Sequence, residues 1–136
     1  MQNPPPVQTG KSSTGLEANL AALLSYVFGW LSGLIFLLIE KDSKLVRFHA
    51  MQSILLNVCC AVVAFVLWIV MFILLMVVSQ ISGSLSTILG LLFTLVWLAF
   101  SVGILIAWVM CLIKAYQSQF FKLPIIGDFA EKFVSK

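Results

Sequence analysis

The chain has 136 residues, of which 62% are hydrophobic and 10% are charged, and its formal net charge is +3. Soluble domains carry about 25% charged residues, and a water-soluble fold of this size needs polar groups to cover its surface. The stretches between Glu17 and Glu40 and between Arg47 and Lys114 contain no Lys, Arg, Asp or Glu. This composition excludes an ordinary soluble domain and predicts a membrane protein.

The first thirteen residues are polar and rich in proline and glycine. Because they offer nothing to bury, they predict a disordered tail over residues 1–13. Thr14 and Glu17 have the spacing of a capping box, so we expect the first helix to begin here. No internal repeat or second domain is visible, and residues 14–136 are therefore expected to form a single membrane domain.

Three apolar segments are long enough to cross a bilayer. About 30 Å of hydrocarbon requires roughly 20 residues of helix. Spanning segments must be helices or closed barrels, because lipid offers no partner to backbone polar groups. The segments do not alternate apolar and polar residues as barrel strands do. The sequence thus predicts an all-α membrane protein with three transmembrane helices, at about residues 20–39, 54–78 and 88–113.

The C-terminal segment is too polar to span. Pro124 suits the first turn of a helix, and Ile126, Phe129 and Phe133 then fall on one face. Basic residues flank that apolar face. The pattern predicts a short amphipathic helix over about residues 124–134, which lies along the lipid surface.

The basic residues predict the orientation. Three spans would place seven of them on the side of the first loop and the C-terminal segment, and only Lys11 on the side of the tail and the second loop. The positive-inside rule then predicts a multi-pass protein of the inner (plasma) membrane, with its N-terminus outside and its C-terminus in the cytoplasm. Anionic lipid headgroups at the cytoplasmic face are the expected partners, rather than nucleic acid.

Small residues recur every four positions along two predicted spans. Such ladders let helix backbones approach closely within a membrane. They favour packing within a compact three-helix bundle, and a contact with another membrane protein or with a second copy of the chain is the alternative. The ladders comprise Ala21, Ser25, Gly29 and Gly33 in the first span and Ala99, Gly103 and Ala107 in the third.

A polar stripe opens the second span. His49, Gln52, Ser53 and Asn57 share one helix face, and a polar face at this depth is costly if it meets lipid. We expect it to form hydrogen bonds with the first helix and the C-terminal segment; the alternative is a vestibule for a substrate or a partner helix. Arg47 lies on the other side of the helix, where we expect it to reach phosphate headgroups or the C-terminal segment.

The segments "LSYVFGWLSGLIFLLIEKDS", "VRFHAMQS" and "AYQSQFFKLPIIGDFAE" resemble the Tic-twenty-like family, the prokaryotic relatives of a chloroplast inner-envelope import component. The resemblance implies a membrane location and a link to protein transport. Both of the later motifs lie on the predicted cytoplasmic side, and we expect them to touch and form one platform. The family motif maps onto Arg47, Phe48, His49 and Gln52, and onto Lys122, Leu123, Pro124, Ile125 and Gly127.

No catalytic or metal-binding pattern is present. Cys59, Cys60 and Cys111 form no C-x-x-C motif, so neither a zinc site nor a redox pair is indicated. The single histidine has no carboxylate pair nearby. We therefore expect no enzyme activity, no metal and no cofactor. The favoured function is a scaffold or translocation-associated subunit that acts through helix–helix contacts, and the alternative is a small oligomeric transporter or channel.

Overall fold

The computed structural model describes residues 10–136, and within this range the chain is all-helical. Its backbone contacts divide it into two compact units. The base unit comprises the chain up to Val58 and from Ala107 onward, and the hairpin unit comprises Cys59–Ile106. The helices are α1 (Ala18–Val27), α2 (Trp30–Ile39), α3 (Lys44–Ile81), α4 (Gly83–Tyr116) and α5 (Ile126–Val134).

The first apolar segment forms two short helices instead of one span. α1 and α2 have 10 residues each, which is about 15 Å of helix and half the thickness of the hydrocarbon. They meet at Phe28 and Gly29, and Gly29 has a φ of +60°, a conformation that glycine adopts without steric cost. The prediction of a span over residues 20–39 is wrong. Gly29, which was expected to be a packing residue of the first ladder, is the point where the chain reverses.

Hydroxyl groups satisfy the backbone at this reversal. The hydroxyl of Ser32 accepts the N–H of Phe28 at 3.1 Å and donates to the carbonyl of Ser25 at 3.0 Å. The hydroxyl of Ser53 donates to the carbonyl of Gly29 at 3.0 Å. Because an unpaired backbone group in lipid is costly, these serines allow an apolar segment to turn back.

The start of α1 and the end of α2 lie side by side. Glu40 accepts the backbone N–H of Ser13 at 3.0 Å and the hydroxyl of Ser13 at 2.8 Å. The N–H of Lys41 donates to the same hydroxyl at 3.0 Å. α1 and α2 are therefore antiparallel, and residues 10–13 lie at the same end of the base unit as the first loop. Three spans would instead place the tail and the first loop on opposite sides of the membrane.

The predicted disordered tail falls mostly on residues 1–9, which lie outside the described residues. The rest of it is ordered by contacts with the base unit: Ser12 is buried, and its N–H donates to the carbonyl of Leu16 at 2.8 Å. The prediction is wrong for residues 10–13, because Glu40 provides an acceptor that composition alone does not reveal.

The predicted capping box is absent. α1 begins at Ala18, and its N-cap Glu17 makes no side-chain capping hydrogen bond. The hydroxyl of Thr14 bonds to that of Ser12 instead. Both side chains belong to the tight turns that precede the helix, so the spacing of the two residues was not a reliable signal here.

α3 and α4 are each long and apolar enough to cross a membrane. Within the hairpin unit they are antiparallel, since Trp68 of α3 and Phe93 and Trp97 of α4 line one cleft of about 360 Å³. Ser82 alone joins the two helices. The polar loop expected between residues 78 and 88 is helical except at this residue.

The hairpin unit contains no Lys, Arg, Asp, Glu or His. Its large apolar side chains point outward from both helices. Monomeric soluble proteins rarely expose apolar patches beyond a few hundred Å². The surface therefore fits lipid, and the class of protein predicted from composition is confirmed. Among the exposed side chains are Val62, Phe65, Trp68, Phe72, Leu91, Leu95, Leu98 and Ile106.

The C-terminal segment ends in a short helix, as predicted, although α5 begins at Ile126. Its predicted apolar face is divided in the structure. Gly127 and Ala130 are buried against the base unit, whereas Phe129 and Phe133 point outward. Two sides of α5 are therefore apolar, and only one of them is covered by the chain.

Candidate functional site

The core of the base unit is built from α1, the first turns of α3 and the last turns of α4. Small residues on α1 allow the helices to approach, and Tyr26 is the largest side chain that is fully buried. The partly buried Phe120, Phe121 and Leu123 of the C-terminal segment close this core. The cluster comprises Ala18, Ala21, Ala22, Tyr26, Leu45, Val46, Cys111 and Ala115.

The two small-residue ladders have different environments. In the first, Ala21 and Ser25 are buried, and a Cβ on Gly33 would lie 2.8 Å from the carbonyl oxygen of Ala50. Gly29 belongs to the chain reversal instead of a continuous ladder. The absence of a Cβ at Gly33 allows α2 to lie directly against α3.

The ladder on α4 does not pack within the chain over its first part. Ala99 and Gly103 are exposed, and a Cβ on Gly103 would meet nothing within 4 Å. Only Ala107 is partly buried. The expected intrachain packing of Ala99 and Gly103 is therefore wrong, because the first span that was to complete the three-helix bundle is a pair of ten-residue helices instead.

His49 is fully buried and joins three parts of the base unit. Its Nε2 lies 2.9 Å from the carbonyl oxygen of Gln119, and its Nδ1 lies 3.1 Å from the hydroxyl of Tyr26. A carbonyl only accepts, so Nε2 donates to Gln119 and Nδ1 accepts from Tyr26. Both ring nitrogens are thus engaged, and neither is free for a metal or for proton transfer.

Gln52 extends this network. Its amide group donates to the hydroxyl of Tyr26 at 3.2 Å and to the carbonyl of Phe121 at 3.0 Å. The sulfur of Cys111 lies 3.6 Å from the same nitrogen. Gln52 is fully buried, and its Oε1 has no partner among residues 10–136. We name Tyr26, His49, Gln52, Gln119 and Phe121 the His49 network.

The turn at the end of α4 directs the backbone carbonyls of Gln119 and Phe121 toward His49 and Gln52. Ser118 has a φ of +57°, and its N–H donates to the carbonyl of Ala115. The N–H of Gln119 donates to the carbonyl of Lys114. This pair of bonds is a Schellman motif, which stops the helix and redirects the chain. The C-terminal segment consequently passes beneath His49 and Gln52.

The lower part of the polar stripe binds the α1–α2 reversal. Ser53 donates to the carbonyl of Gly29, and the amide of Asn57 donates to the carbonyl of Ser53 at 2.9 Å. Asn57 also lies against Gly29, where a Cβ would come within 2.9 Å of its Oδ1. His49, Gln52 and Ser53 therefore bond to α1, to its reversal or to the C-terminal segment, whereas Asn57 bonds to its own helix.

The two sequence motifs are in direct contact. The ring of Phe48 packs edge-on against that of Phe120, with centroids 5.4 Å apart, and against His49 at 5.2 Å. Ile125 of the second motif does not share in this packing and is 74% exposed. It has a φ of +68°, which turns its side chain away from the base unit and is rare for a β-branched residue.

The second motif forms a compact turn before α5. A Cβ on Gly127 would lie 2.6 Å from the Cα of Lys122, so only glycine fits here. The N–H of Gly127 donates to the carbonyl of Leu123, and that of Ile126 donates to the carbonyl of Pro124, both at 2.8 Å. This geometry explains "KLPIIG" as a structural motif, in which Leu123 packs on the core.

Lys122 forms an ion pair with Glu131 on the surface of this turn. Its hydrogen bond to Glu131 raises the pKa of Lys122 above its ordinary value. Both side chains are largely exposed, and exposed pairs of this kind contribute little to stability.

Glu40 organises the first loop. Its Oε1 accepts the N–H groups of Asp42 at 3.0 Å and Ser43 at 2.9 Å, in addition to the bonds from Ser13. Burial alone would raise the pKa of Glu40, but the hydrogen bonds from Ser43, Ser13 and Asp42 outweigh this effect and lower it. The carboxylate therefore joins the chain before α1 to the start of α3.

Two participants of the base unit were missed in the sequence. Tyr26 is the central residue of the His49 network, and the indole N–H of Trp108 donates to its carbonyl at 3.1 Å. The signal for Tyr26 was a lone polar ring within an apolar segment. The sequence did not indicate the role of Trp108, because a tryptophan in an apolar segment can face lipid as readily as it can pack within the protein.

The hairpin unit offers no polar path. The hydroxyls of Thr94 and Ser101 donate to the carbonyls of Gly90 and Trp97 on their own helix. Within residues 10–136 the three cysteines are free thiols, and no group of three or more His, Cys, Asp or Glu side chains could hold a metal ion.

Two long apolar helices whose large side chains point outward define a small membrane protein. Residues 12–130 match the model of the magnetosome magnetite crystal formation protein family, and the chain belongs to that family. The resemblance to the Tic-twenty-like family is wrong, since this match covers the segments on which it rested, apart from Glu131, and the curated relatives are UPF0132 membrane proteins. The expected link to protein import is withdrawn with it.

Curated relatives support the membrane assignment. A UPF0132 membrane protein of Methanocaldococcus jannaschii is 37% identical over 124 residues, which cover 91% of this chain and 94% of the relative. A second protein of that organism is 34% identical and covers 88% and 71%. A UPF0132 membrane protein of Archaeoglobus fulgidus is 38% identical and covers 86% and 95%. No solved structure matches the chain.

Proposed function

We propose that the protein is a non-enzymatic membrane scaffold, which recruits other membrane helices through the exposed face of α4. The observation that carries this proposal is the environment of Ala99 and Gly103, which lie on an outward face with open space beside Gly103. Small residues at this spacing allow a helix from another chain to approach closely. A channel is not favoured, because the hydroxyls of Thr94 and Ser101 are already bonded to their own helix.

We also propose a revised topology, in which α3 and α4 are the only spans and both ends of the described chain lie in the cytoplasm. All eight Lys and Arg residues belong to the base unit. A base unit on the cytoplasmic side of the cell membrane satisfies the positive-inside rule without the exception that Lys11 previously made. The short α1–α2 hairpin would then enter the membrane from that side and return to it.

The outward side of α5 is proposed to rest on the lipid surface. Phe129 is 61% exposed, and Ile125 and Phe133 point outward beside it. The ammonium group of Lys132 lies 5.8 Å from the ring centroid of Phe129, which places a cation at the edge of the apolar side. Such a helix binds the interface through its apolar side chains and anionic headgroups through its cations.

The scaffold proposal is tested by photo-cross-linking in native membranes. A photoreactive residue at Ile106 of α4, three positions beyond Gly103, is expected to capture a protein and yield an adduct of defined mass. The same probe at Val62 of α3, which is similarly exposed, is the control and is expected to label lipid. A Gly103→Leu change should remove the Ile106 adduct. Equal labelling of lipid alone from both positions would overturn the proposal.

A further inference from the structure

Arg47 carries a charge that the chain leaves without a partner. Its side chain is partly buried, and its Nε is shielded from solvent with no hydrogen-bond acceptor among residues 10–136. Within the same range, no carboxylate lies within 4.0 Å of the guanidinium, since the ion pair present is that of Lys122 with Glu131. A partly buried cation without a counter-charge is costly, so its retention points to an external anion.

The acids of the first loop are already occupied. Glu40 is buried, and its carboxylate accepts hydrogen bonds from Ser13, Asp42 and Ser43. Asp42 accepts the hydroxyl of Ser13 at 2.8 Å. Neither of these two carboxylates forms an ion pair with Arg47.

A second cation lies beside Arg47. Lys44 precedes it by three residues, so the two side chains are neighbours on one face of the first turn of α3. This turn contains no acidic residue. The N-terminus of a helix favours negative charge, and cations there oppose the helix dipole. Glu40 and Asp42 lie just before this turn, but the cations Lys41, Lys44 and Arg47 outnumber them. The charge, the dipole and the unpaired donors thus call for the same kind of ligand.

The location of Arg47 favours a lipid as the source of that anion. Arg47, Met51 and Val58 share a face of α3, and Val58 is already 51% exposed. About three turns beyond Arg47, this face of α3 is therefore apolar and exposed. A ligand that contacts both regions has a charged head and a hydrocarbon chain.

We propose that Arg47 and Lys44 form a binding site for the phosphate group of an anionic membrane lipid. The planar guanidinium matches two phosphate oxygens with parallel hydrogen bonds, and the ammonium of Lys44 adds a second positive charge. The site deepens the proposed function, since it rests on the base unit lying at the membrane surface. It would fix the depth of α3 at that surface.

The site is tested on the purified full chain in mild detergent, where neither topology nor partner helices affect the result. Phosphatidylglycerol is added to delipidated protein, and its affinity is measured from the rise in unfolding temperature and by native mass spectrometry. Arg47→Gln is expected to weaken binding about tenfold, and Arg47→Lys about threefold, because lysine keeps the charge but not the paired hydrogen bonds. Lys41→Gln removes an exposed charge from the loop before α3 and is expected to bind like the wild type.

The unfolding temperature without lipid separates a binding role from a structural one. Arg47→Gln should be at least as stable as the wild type in lipid-free detergent, because it removes an uncompensated charge. A less stable Arg47→Gln protein, or one that binds phosphatidylglycerol as the wild type does, would overturn the proposal. Inorganic phosphate should produce no comparable rise; if it did, the lipid part of the proposal would be wrong.

Discussion

The Nε2 of His49 lies 2.9 Å from the backbone carbonyl oxygen of Gln119, although 70 residues separate them in the sequence. This bond attaches the C-terminal segment to the first turns of α3. Because the hydroxyl of Tyr26 donates to the other ring nitrogen, the imidazole holds three segments of the chain together. The first prediction concerns the strength of this connection.

Replacement of His49 by phenylalanine should destabilise the base unit. The change leaves the carbonyl of Gln119 and the hydroxyl of Tyr26 without their partner in a buried site, which costs about 2–4 kcal/mol. The free energy of unfolding in mixed detergent measures the effect. Gln119→Ala is the matched control, because it keeps the backbone carbonyl and should cost about 0.5 kcal/mol or less. If His49→Phe lowered the free energy of unfolding no more than Gln119→Ala does, the bond from His49 to the carbonyl of Gln119 would be unimportant for stability.

Gly33 and Gly103 both belong to four-residue ladders of small residues, but their replacement by alanine should have opposite effects on stability. Gly33→Ala places a Cβ 2.8 Å from a carbonyl oxygen of Ala50, a rigid backbone atom, and should destabilise the protein by about 1–3 kcal/mol. Gly103→Ala meets open space in a helix and should be neutral or stabilise by up to about 1 kcal/mol. Unfolding of both variants in the same detergent gives the comparison. A large loss at Gly103 would mean that this face is packed after all.

Impermeant labelling of single cysteines distinguishes two spans from three. In a variant whose native cysteines are replaced by alanine, a cysteine at Ser84 should react with a maleimide added to intact cells. Cysteines at Thr14 and Ser135 should react only after the membrane is opened, since two spans place both near the cytoplasm. Labelling of Thr14 from outside would restore the three-span topology and contradict the proximity of Ser13 to Glu40.

The Glu40 carboxylate predicts a loss of stability in acid. Its pKa is lower in the folded protein than its ordinary value of 4.5, so the ionised form stabilises the fold at higher pH. This contribution is complete above the ordinary pKa and is lost as the pH falls through the lower, folded value. At neutral pH, Glu40→Gln should therefore be less stable than the wild type, and the difference should shrink below about pH 4.

Unfolding curves of both proteins across this pH range measure the linkage. Glu131→Gln is the control, because Glu131 forms an exposed pair with Lys122 and should show little pH-dependent difference. A Glu40→Gln protein that differs from the wild type by the same amount at every pH would mean that ionisation of Glu40 is not what stabilises the loop.

The sequence alone determined the membrane class, the C-terminal helix and the side of α3 that turns inward. These properties depend on local quantities: the transfer free energy of an apolar run, the position of charges, and the 3.6-residue period that places His49, Gln52, Ser53 and Asn57 on one face. The contact between the two motifs was also predictable. In an antiparallel hairpin the start of α3 lies close to the end of α4, and each motif is next to one of these two points.

Only the tertiary structure decided where the chain reverses and which small residues find a neighbour. Two ten-residue helices joined at Gly29 have the same hydropathy as one twenty-residue span, because hydropathy does not record the sign of φ. The reversal is stable because Ser32 and Ser53 satisfy its backbone groups, and the bond from Ser53 exists only when the reversal lies against α3. For the same reason Gly33 and Gly103 look equivalent in sequence, yet one touches Ala50 and the other faces open space.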